Sequence, residues 1–501
     1  MTSVTDPTPS SSGSLSSEKR SVVIIGGGLA GLAAAGELLA TPGHFDVTLL
    51  EAKRTMGGRA GSFSDPATGN AVDYCQHVAM GCCTNFLGLL DRYGLKDRMK
   101  CYSSLTFLHP DHPPSRFAPS SWMPAPLHLA GAIGSLRYLT TKQKWHVRWG
   151  IWQMMRSDSN QMEGQVAATW LASHGQDKET IAAFWDVVLV SALGERTDRV
   201  SMLAAHKVFM DGFAAARGAS DVWVPTRPLS ELIGRDLAGA IGEQGSAMIH
   251  GCCVNRILPP TNQQSPQVVA ADGRAFGASD VIVAVPWFRI ESLLADSPIA
   301  ESTSSQSQWT AIPASPITGI HLWFDRPITT LPHAVMVGTK SQWLFREPLE
   351  RTDTTDSASS TQPTHYYQVV ISASHDLGDQ SREALVAEVI TELRHAFDGA
   401  RSAVLIASRV VTDPRSVFSV RPEVEKARPP ARTALPWLHL AGDWTSTGWP
   451  ATMEGAVISG ILAASNVMQR YGLPAGEVDG GLKRGWLARR MIRRSTQLPR
   501  R

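Results

Sequence analysis

Residues 22–31 read VVIIGGGLAG, and this stretch decides the fold because an apolar strand runs into a glycine-rich turn that opens a helix. A strand without polar alternation belongs to a parallel sheet that is covered on both faces. The turn satisfies G-x-G-x-x-G, in which Gly26 permits the tight turn, Gly28 lets the backbone approach a pyrophosphate and Gly31 lets the helix pack closely on the strand. The stretch therefore predicts the start of a dinucleotide-binding unit.

The next strand carries the second half of this pattern. Val47 to Leu50 is followed by Glu51, twenty residues beyond Gly31, where a carboxylate accepts hydrogen bonds from ribose hydroxyls. Between the two strands, the free amides at the helix start, those of Leu29 and Ala30, face phosphate charge. We therefore predict dinucleotide binding, with a glycine-rich turn of no function as the alternative.

A second glycine pair follows the ribose-binding acid. The segment after Glu51 reads AKRTMGGR and ends at Arg59. Gly57 and Gly58 can lie against the cofactor phosphates, where Arg59 supplies a positive charge. Nicotinamide dehydrogenases do not typically show this element, whereas FAD-binding proteins of the amine oxidase–phytoene desaturase superfamily, which this chain resembles, do.

The other end of the chain carries a matching motif. Residues 438–443 read LHLAGD, an apolar strand that ends in Gly-Asp, and a helix starts near 452. In the superfamily that the chain resembles, the aspartate accepts a hydrogen bond from a ribityl hydroxyl, and the amides at the helix start meet the flavin pyrimidine edge. A capping or turn role for the aspartate is the alternative. The predicted FAD contacts at this end are Gly442, Asp443, Thr452, Met453 and Glu454.

Two further elements narrow the resemblance, which covers most of 21–470. Both resemble the squalene-associated branch of the superfamily, the hydroxysqualene dehydroxylases. The first element is Gln76 and His77, followed by GCCTN at 81–85, and the second is GDWTSTGWPATMEGA at 442–456. That branch has Asn-Gly before Gln-His, whereas this chain has Tyr-Cys at 74–75.

The resemblance implies an α/β fold class, with a Rossmann-type FAD-binding domain and a discontinuous α+β substrate domain. The FAD-binding domain is expected from 21–84, 215–290 and 425–471, with Val254 as a further cofactor contact. The substrate domain is expected from 85–214 and 291–424. A Ser-, Thr- and Pro-rich leader at 1–20 is predicted to be disordered, and 472–501 is predicted to form a basic tail.

The same resemblance implies a reaction, the reductive removal of the hydroxyl of hydroxysqualene to give squalene in hopanoid or triterpenoid biosynthesis. Such a substrate needs a long apolar tunnel. The Trp-rich segment 122–185 is the candidate wall of this tunnel, and the alternative is that these tryptophans belong to the ordinary hydrophobic core. Loss of the hydroxyl needs an acid, and His77 is the candidate because histidine titrates near neutrality. A structural role beside the FAD is the alternative for His77. Trp444 and Trp449 are the candidate substrate contacts, again with a core role as the alternative.

Other functions stay open at this stage. A carotenoid-type phytoene desaturase or a flavin amine oxidase would use the same flavin site, because the motifs do not fix the direction of electron flow. A non-catalytic FAD-binding partner in a membrane terpenoid complex is an alternative of another class.

Composition limits the partners and the compartment. The 501 residues carry a formal net charge of +2, which predicts no nucleic-acid partner. The six cysteines form no C-x-x-C pair, so we expect free thiols, no metal site and a cytoplasmic protein. Residues 483–501 contain eight Lys or Arg and no acid. This segment predicts peripheral contact with the inner face of the cell membrane, or a solvated tail, and the number of subunits stays open.

Overall fold

The computed structural model describes residues 19–66, 69, 71–294, 309, 312–347, 364–378 and 380–493. Of the leader predicted at 1–20, only Lys19 and Arg20 fall within these ranges, and Arg20 is the first residue of a strand. Residues 494–501 of the basic tail also lie outside the described residues.

The secondary structure of the described ranges alternates between strands and helices. The strands are β1 Arg20–Ile25, β2 Phe45–Leu50, β3 Ser62–Ser64, β4 Ala71–Asp73, β5 Ala79–Met80, β6 Met99–Tyr102, β7 Leu105–His109, β8 His112–Phe117, β9 Val222–Pro225, β10 Ala247–Ile249, β11 Val254–Leu258, β12 Gln267–Ala270, β13 Ala275–Gly277, β14 Asp280–Val283, β15 Ala314–Phe324, β16 His333–Met336, β17 Trp343–Arg346, β18 His365–Ser372, β19 Leu405–Phe418 and β20 Leu438–Leu440.

Besides short segments of π-helix and 3-10 helix, the described ranges contain α-helices. They are α1 Leu29–Leu39, α2 Thr84–Arg92, α3 Ala130–Gly134, α4 Thr141–Arg156, α5 Ala167–Ser173, α6 Lys178–Thr180, α7 Asp186–Leu193, α8 Met202–Phe209, α9 Leu229–Glu231, α10 Ala238–Gly242, α11 Trp287–Leu294, α12 Arg382–Ala396, α13 Asp398–Ser402, α14 Pro422–Ala427, α15 Met453–Arg470 and α16 Trp486–Met491. Wider π-type turns occupy Ile181–Trp185, Met210–Ala214 and Leu232–Leu237, and short 3-10 turns occupy Lys96–Arg98, Leu127–Leu129, Ser159–Met162 and His375–Leu377.

A five-stranded parallel sheet forms the cofactor-binding domain. Its strand order is β10-β2-β1-β14-β20, so β1 lies at the centre between β2 and β14, and β10 and β20 form the two edges. Residues 22–25 of β1 and all of β14 and β20 are buried, as expected for parallel strands covered on both faces, whereas the edge strand β10 is partly exposed. Helices α1 and α15 pack closely because Gly460 has no side chain, and a Cβ there would overlap the Ala30 carbonyl oxygen.

A seven-stranded mixed sheet forms the second domain. Its order is β19-β15-β18-β17-β16-β7-β8, and the long pair β15 and β19 is antiparallel. Helix α12 packs on this sheet through Leu385, Val389 and Leu393. The predicted fold class, a Rossmann-type domain with a discontinuous α+β domain, is confirmed, whereas the segment boundaries given above stay predictions.

None of the helices in the described ranges combines the length and the apolar character needed to cross a bilayer.

Candidate cofactor-binding site

Two glycines at the turn between β1 and α1, Gly26 and Gly31, have no room for a side chain. Gly26 has a φ of +111°, and a Cβ at this position would lie 2.5 Å from the Ala284 carbonyl oxygen. A Cβ on Gly31 would overlap the Gly26 carbonyl oxygen, so the first turn of α1 lies directly on the loop. No side chain caps α1, and its first amides, at Leu29 and Ala30, have no partner within the helix. These amides can therefore bind a phosphate.

Glu51 lies at the end of β2, buried beside the glycine turn. Its Oε2 accepts a hydrogen bond from the Gly27 amide at 2.7 Å, and its Oε1 accepts one from the Lys53 amide at 2.8 Å. The Cys252 amide donates to the Glu51 carbonyl at 2.8 Å, which brings the start of β11, and with it half-buried Val254, toward the same end of the sheet. Glu51 is thus held where the sequence places a ribose-binding carboxylate.

The second glycine pair lies against the first. The Gly57 amide donates to the Gly27 carbonyl at 2.8 Å, and Gly28 and Gly57 form a parallel bridge. Gly58 has a φ of +64°, and a Cβ there would lie 3.0 Å from the Gly28 Cα atom. Two backbones that approach without side chains leave a bare peptide surface, which fits the pyrophosphate of a dinucleotide.

An ion pair joins the N-terminal and C-terminal motifs. Arg59 Nη2 donates to Asp443 Oδ1, and its Nη1 donates to the Ser416 carbonyl at 2.9 Å. The Asp443 side chain is almost fully buried. In the structure the Arg59 guanidinium therefore binds a carboxylate, whereas the sequence suggested that it binds a cofactor phosphate. The ion pair also brings the two halves of the predicted site together.

The start of α15 supplies backbone but not the carboxylate of Glu454. Thr452 Oγ1 caps the helix by accepting a hydrogen bond from the Gly455 amide at 3.1 Å. The Glu454 carboxylate is fully buried and accepts bonds from the Asn85 amide at 3.0 Å and the Phe86 amide at 2.8 Å. Burial raises the pKa of Glu454, and these hydrogen bonds oppose the rise. Glu454 therefore anchors the start of α2, and only the amides of 452–454 are left for a cofactor.

The two tryptophans of the C-terminal motif differ in their surroundings. Trp444 is fully buried, its Nε1 donates to the Val285 carbonyl at 2.9 Å, and its ring meets Trp309 edge-on. Trp444 is thus a core residue, and the substrate contact considered for it does not fit. Trp449 is half-buried, with the Lys207 Nζ atom 4.5 Å from the centre of its ring.

The Trp-rich middle segment does not form the wall that a tunnel would need. Trp170 and Trp185 lie in the core, whereas the other four have exposed rings. The exposed rings are those of Trp122, Trp145, Trp149 and Trp152.

Sequence reasoning missed Arg428, which organises the loop after Asp443. The Arg428 guanidinium is buried and donates to the carbonyl oxygens of Asp443 at 3.0 Å, Thr445 at 2.6 Å and Trp449 at 2.6 Å. Glu425 lies 3.6 Å away as the counter-charge. Burial lowers the pKa of Arg428, and the nearby carboxylates oppose the change. Nothing in the local sequence separates this arginine from its exposed neighbour Arg432.

His77 is held in one tautomer. Its Nδ1 lies 2.8 Å from the Cys75 carbonyl oxygen, which can only accept, so Nδ1 carries the hydrogen and Nε2 is the basic nitrogen. Burial lowers the pKa of His77, the hydrogen bond to the Cys75 carbonyl opposes this change, and the nearby Arg59 charge adds to it. The direction of this shift favours the neutral ring, in which Nε2 can accept a proton. The acid role that the sequence suggested for His77 stays a prediction.

Together, the fold and the two joined motifs define a two-domain oxidoreductase that binds a flavin dinucleotide across a Rossmann-type sheet. The flavin containing amine oxidoreductase family matches residues 29–468, so the chain belongs to this family and its cofactor is FAD.

Curated relatives span nearly the whole chain. The 15-cis-phytoene desaturase of an Oncidium hybrid cultivar is 27% identical over 90% of this chain and 78% of its own length. The 15-cis-phytoene desaturase of Synechococcus elongatus is 23% identical over 90% of this chain and 96% of its own. These relatives support the superfamily that the motifs indicated, whereas the squalene-associated branch stays a prediction.

Solved structures share the fold. An oxidoreductase from Methanosarcina mazei superposes with a TM-score of 0.66 at 17% identity, covering 90% of this chain and all of that one. Cyclohexylamine oxidase from Brevibacterium oxydans superposes with a TM-score of 0.64 at 17% identity, over 91% of this chain and 100% of that one.

Proposed function

We propose that the protein is a FAD-dependent oxidoreductase of a long isoprenoid hydrocarbon, with desaturation of a phytoene-like polyene as the first candidate reaction. The support from sequence is the similarity to phytoene desaturases over nine-tenths of the chain. The structural observation that carries the proposal is the fixed tautomer of His77, with Nε2 as its basic atom.

Desaturation removes a hydride and a proton from neighbouring carbons. Bound FAD supplies the two-electron acceptor for such a reaction. The protein must then supply a group that takes up the proton, and its pKa must leave it unprotonated at the working pH. His77 meets this need because the Cys75 carbonyl occupies Nδ1 and leaves Nε2 as the basic atom.

Reductive removal of the hydroxyl of hydroxysqualene is the second candidate. The sequence elements at 76–85 and 442–456 favour it. It needs a proton donor, and the lowered pKa of His77 disfavours the protonated ring that this role requires. An amine oxidase and a non-catalytic FAD-binding partner are further alternatives that the same experiment tests.

Anaerobic flavin spectroscopy separates these functions. We expect the oxidised holoenzyme to be bleached by phytoene in vesicles, with formation of a product that has one more double bond. Reoxidation of photoreduced enzyme by hydroxysqualene, with squalene formed and no reaction with phytoene, would establish the second candidate instead. Bleaching by amines alone would identify an amine oxidase, and a yellow protein inert to all three would favour the non-catalytic partner.

Replacement of His77 tests the role of the proton acceptor. We expect His77→Gln to lower the rate of desaturation by about 10²–10⁴-fold, the usual contribution of a general base. In the parent protein, kcat/KM should fall as the pH drops through the pKa of His77, which lies below the ordinary histidine value because the charged ring is disfavoured. The variant should lose this acidic limb and retain its FAD.

His109→Gln on β7 serves as the matched control and should keep both the rate and the pH profile. An activity that instead declines with rising pH through the same group would show that protonated His77 is required. That result would exclude the base role.

A further inference from the structure

Helix α4 presents an unusual outer face. Its exposed side chains include Trp145, Trp149 and Trp152, which are 60%, 41% and 39% exposed. These positions are spaced i, i+4 and i+7, so they share one side of the helix. The rings of Trp145 and Trp149 are stacked, with centroids 5.8 Å apart.

The orientation of this face is fixed by the opposite side of the helix. Val147, Gly150 and Met154 are buried. Gly150 admits the close approach of Trp185, because a Cβ there would lie 2.7 Å from that ring. A capping box at Thr140 and Gln143 fixes the helix start. The tryptophans are therefore held outward by a packed core.

The charged side chains that α4 itself contributes to this face are all basic. Lys142, Arg148 and Arg156 are exposed between and beside the tryptophans, and α4 contains no Asp or Glu. The Arg156 guanidinium lies 6.0 Å from the centre of the Trp152 ring. Asp177, from the start of α6, lies 3.3 Å from Lys142 and partly neutralises that end. Arg148 and Arg156 keep the rest of the face positive.

The basic tail adds a second element of the same kind. In α16, Trp486 is 62% exposed, and Arg489 and Arg490 are exposed one turn further along. The opposite side is anchored, since Ala488 and Ile492 are buried in the core that also contains Val147 and Met154 of α4. The described part of the tail is thus folded onto the protein.

One hydrogen bond places this element next to α4. The Arg493 amide donates to the carbonyl oxygen of Met155, in the last turn of α4, at 2.8 Å. The C-terminal end of α16 therefore lies beside the last turn of α4.

We propose that the exposed faces of α4 and α16 form one docking surface for an anionic lipid bilayer. Tryptophan favours the boundary between lipid headgroups and acyl chains, and arginine and lysine beside it meet anionic headgroups. A protein partner or a second copy of this chain would have to match three neighbouring tryptophans and a single sign of charge. An anionic bilayer accommodates both the tryptophans and the basic side chains. Under the proposed function, the bilayer would also hold the isoprenoid substrate.

Vesicle co-sedimentation of the FAD-bound full-length protein tests this surface. We expect binding to phosphatidylcholine vesicles that contain phosphatidylglycerol, and weak binding to phosphatidylcholine alone. The triple variant W145Q/W149Q/W152Q should lose about tenfold or more in partition coefficient, because apolar insertion contributes to such binding. The charge variant R156Q/R489Q/R490Q should lose about fivefold per basic residue at low salt.

Matched controls keep the outcome clear. The variant V404Q/I406Q removes exposed apolar side chains from a different surface and should bind as the parent does. Flavin absorbance and thermal unfolding show whether each variant is folded. If the tryptophan variant does not fold, the charge variant still tests the proposal.

Unchanged binding by the folded tryptophan and charge variants would overturn the proposal. The proposal would also be overturned if the parent protein bound neither kind of vesicle. A parent protein that binds no lipid but forms a dimer in sedimentation velocity, which W145Q/W149Q/W152Q abolishes, would identify the face as a contact between two copies of the chain instead. Because the measurement is binding and not turnover, its failure would leave the proposed reaction standing.

Discussion

Gly31→Ala is expected to give a protein that no longer binds FAD. A Cβ at this position would overlap the Gly26 carbonyl oxygen, which is backbone and cannot turn aside as a side chain could. Helix α1 would have to move off the loop and carry the amides of Leu29 and Ala30 away from the phosphate position. Overpacking of this kind costs about 1–3 kcal/mol of folding free energy, and the displaced helix start should lower FAD affinity by about 100-fold or more.

The measurement is the ratio of flavin to protein after purification, together with a titration of the apoprotein with FAD. Gly88→Ala in α2 is the matched control, because nothing lies within 4 Å of a Cβ at that position. It should remain fully yellow. A Gly31→Ala protein with normal FAD content would show that this glycine is not needed for close packing at the phosphate.

Arg428→Met is expected to destabilise the protein and to empty the flavin site together. Removal of the guanidinium leaves the carbonyl oxygens of Asp443, Thr445 and Trp449 without their buried donor and leaves Glu425 without its counter-charge. Breaking a buried charged network by deleting one partner costs about 3–5 kcal/mol. The loop after Asp443 should lose its shape, and FAD binding should be lost with it.

Chemical denaturation, with and without added FAD, measures both effects. Arg428→Lys should rescue little, because an ammonium group cannot reach the same set of acceptors as the planar guanidinium. Arg432→Met, at an exposed arginine four residues away, should unfold at the parent's denaturant concentration. Retention of full FAD affinity and stability by Arg428→Met would contradict the role given to this residue.

The parts of the site that could be predicted from sequence are those set by local backbone geometry. Gly26 is required by its positive φ, and Gly31 by its contact with the Gly26 carbonyl oxygen, so their spacing alone carries the information. The pairing of Arg59 with Asp443 could not be predicted, because it depends on how the two ends of the chain meet in space. The sequence motifs suggested a cofactor contact for Arg59 and another for Asp443, whereas in the structure the two side chains form an ion pair with each other.

Side-chain direction was the main source of error. Glu454 lies in a cofactor motif, yet its carboxylate turns to the start of α2, since two unpaired amides are available there. Trp444 lies in the same region but is core. The tautomer of His77 depends on a carbonyl two residues away, and no residue pattern reports such a contact.

The order of strands in the cofactor-binding sheet has a consequence for biosynthesis. The sheet is completed by β20, which leaves the ribosome only after some four hundred residues have followed β1. At ordinary elongation rates this interval is on the order of a minute, and the outer edge of β14 has no partner strand until β20 has been made. The prosthetic group therefore has no complete binding site until translation is nearly finished.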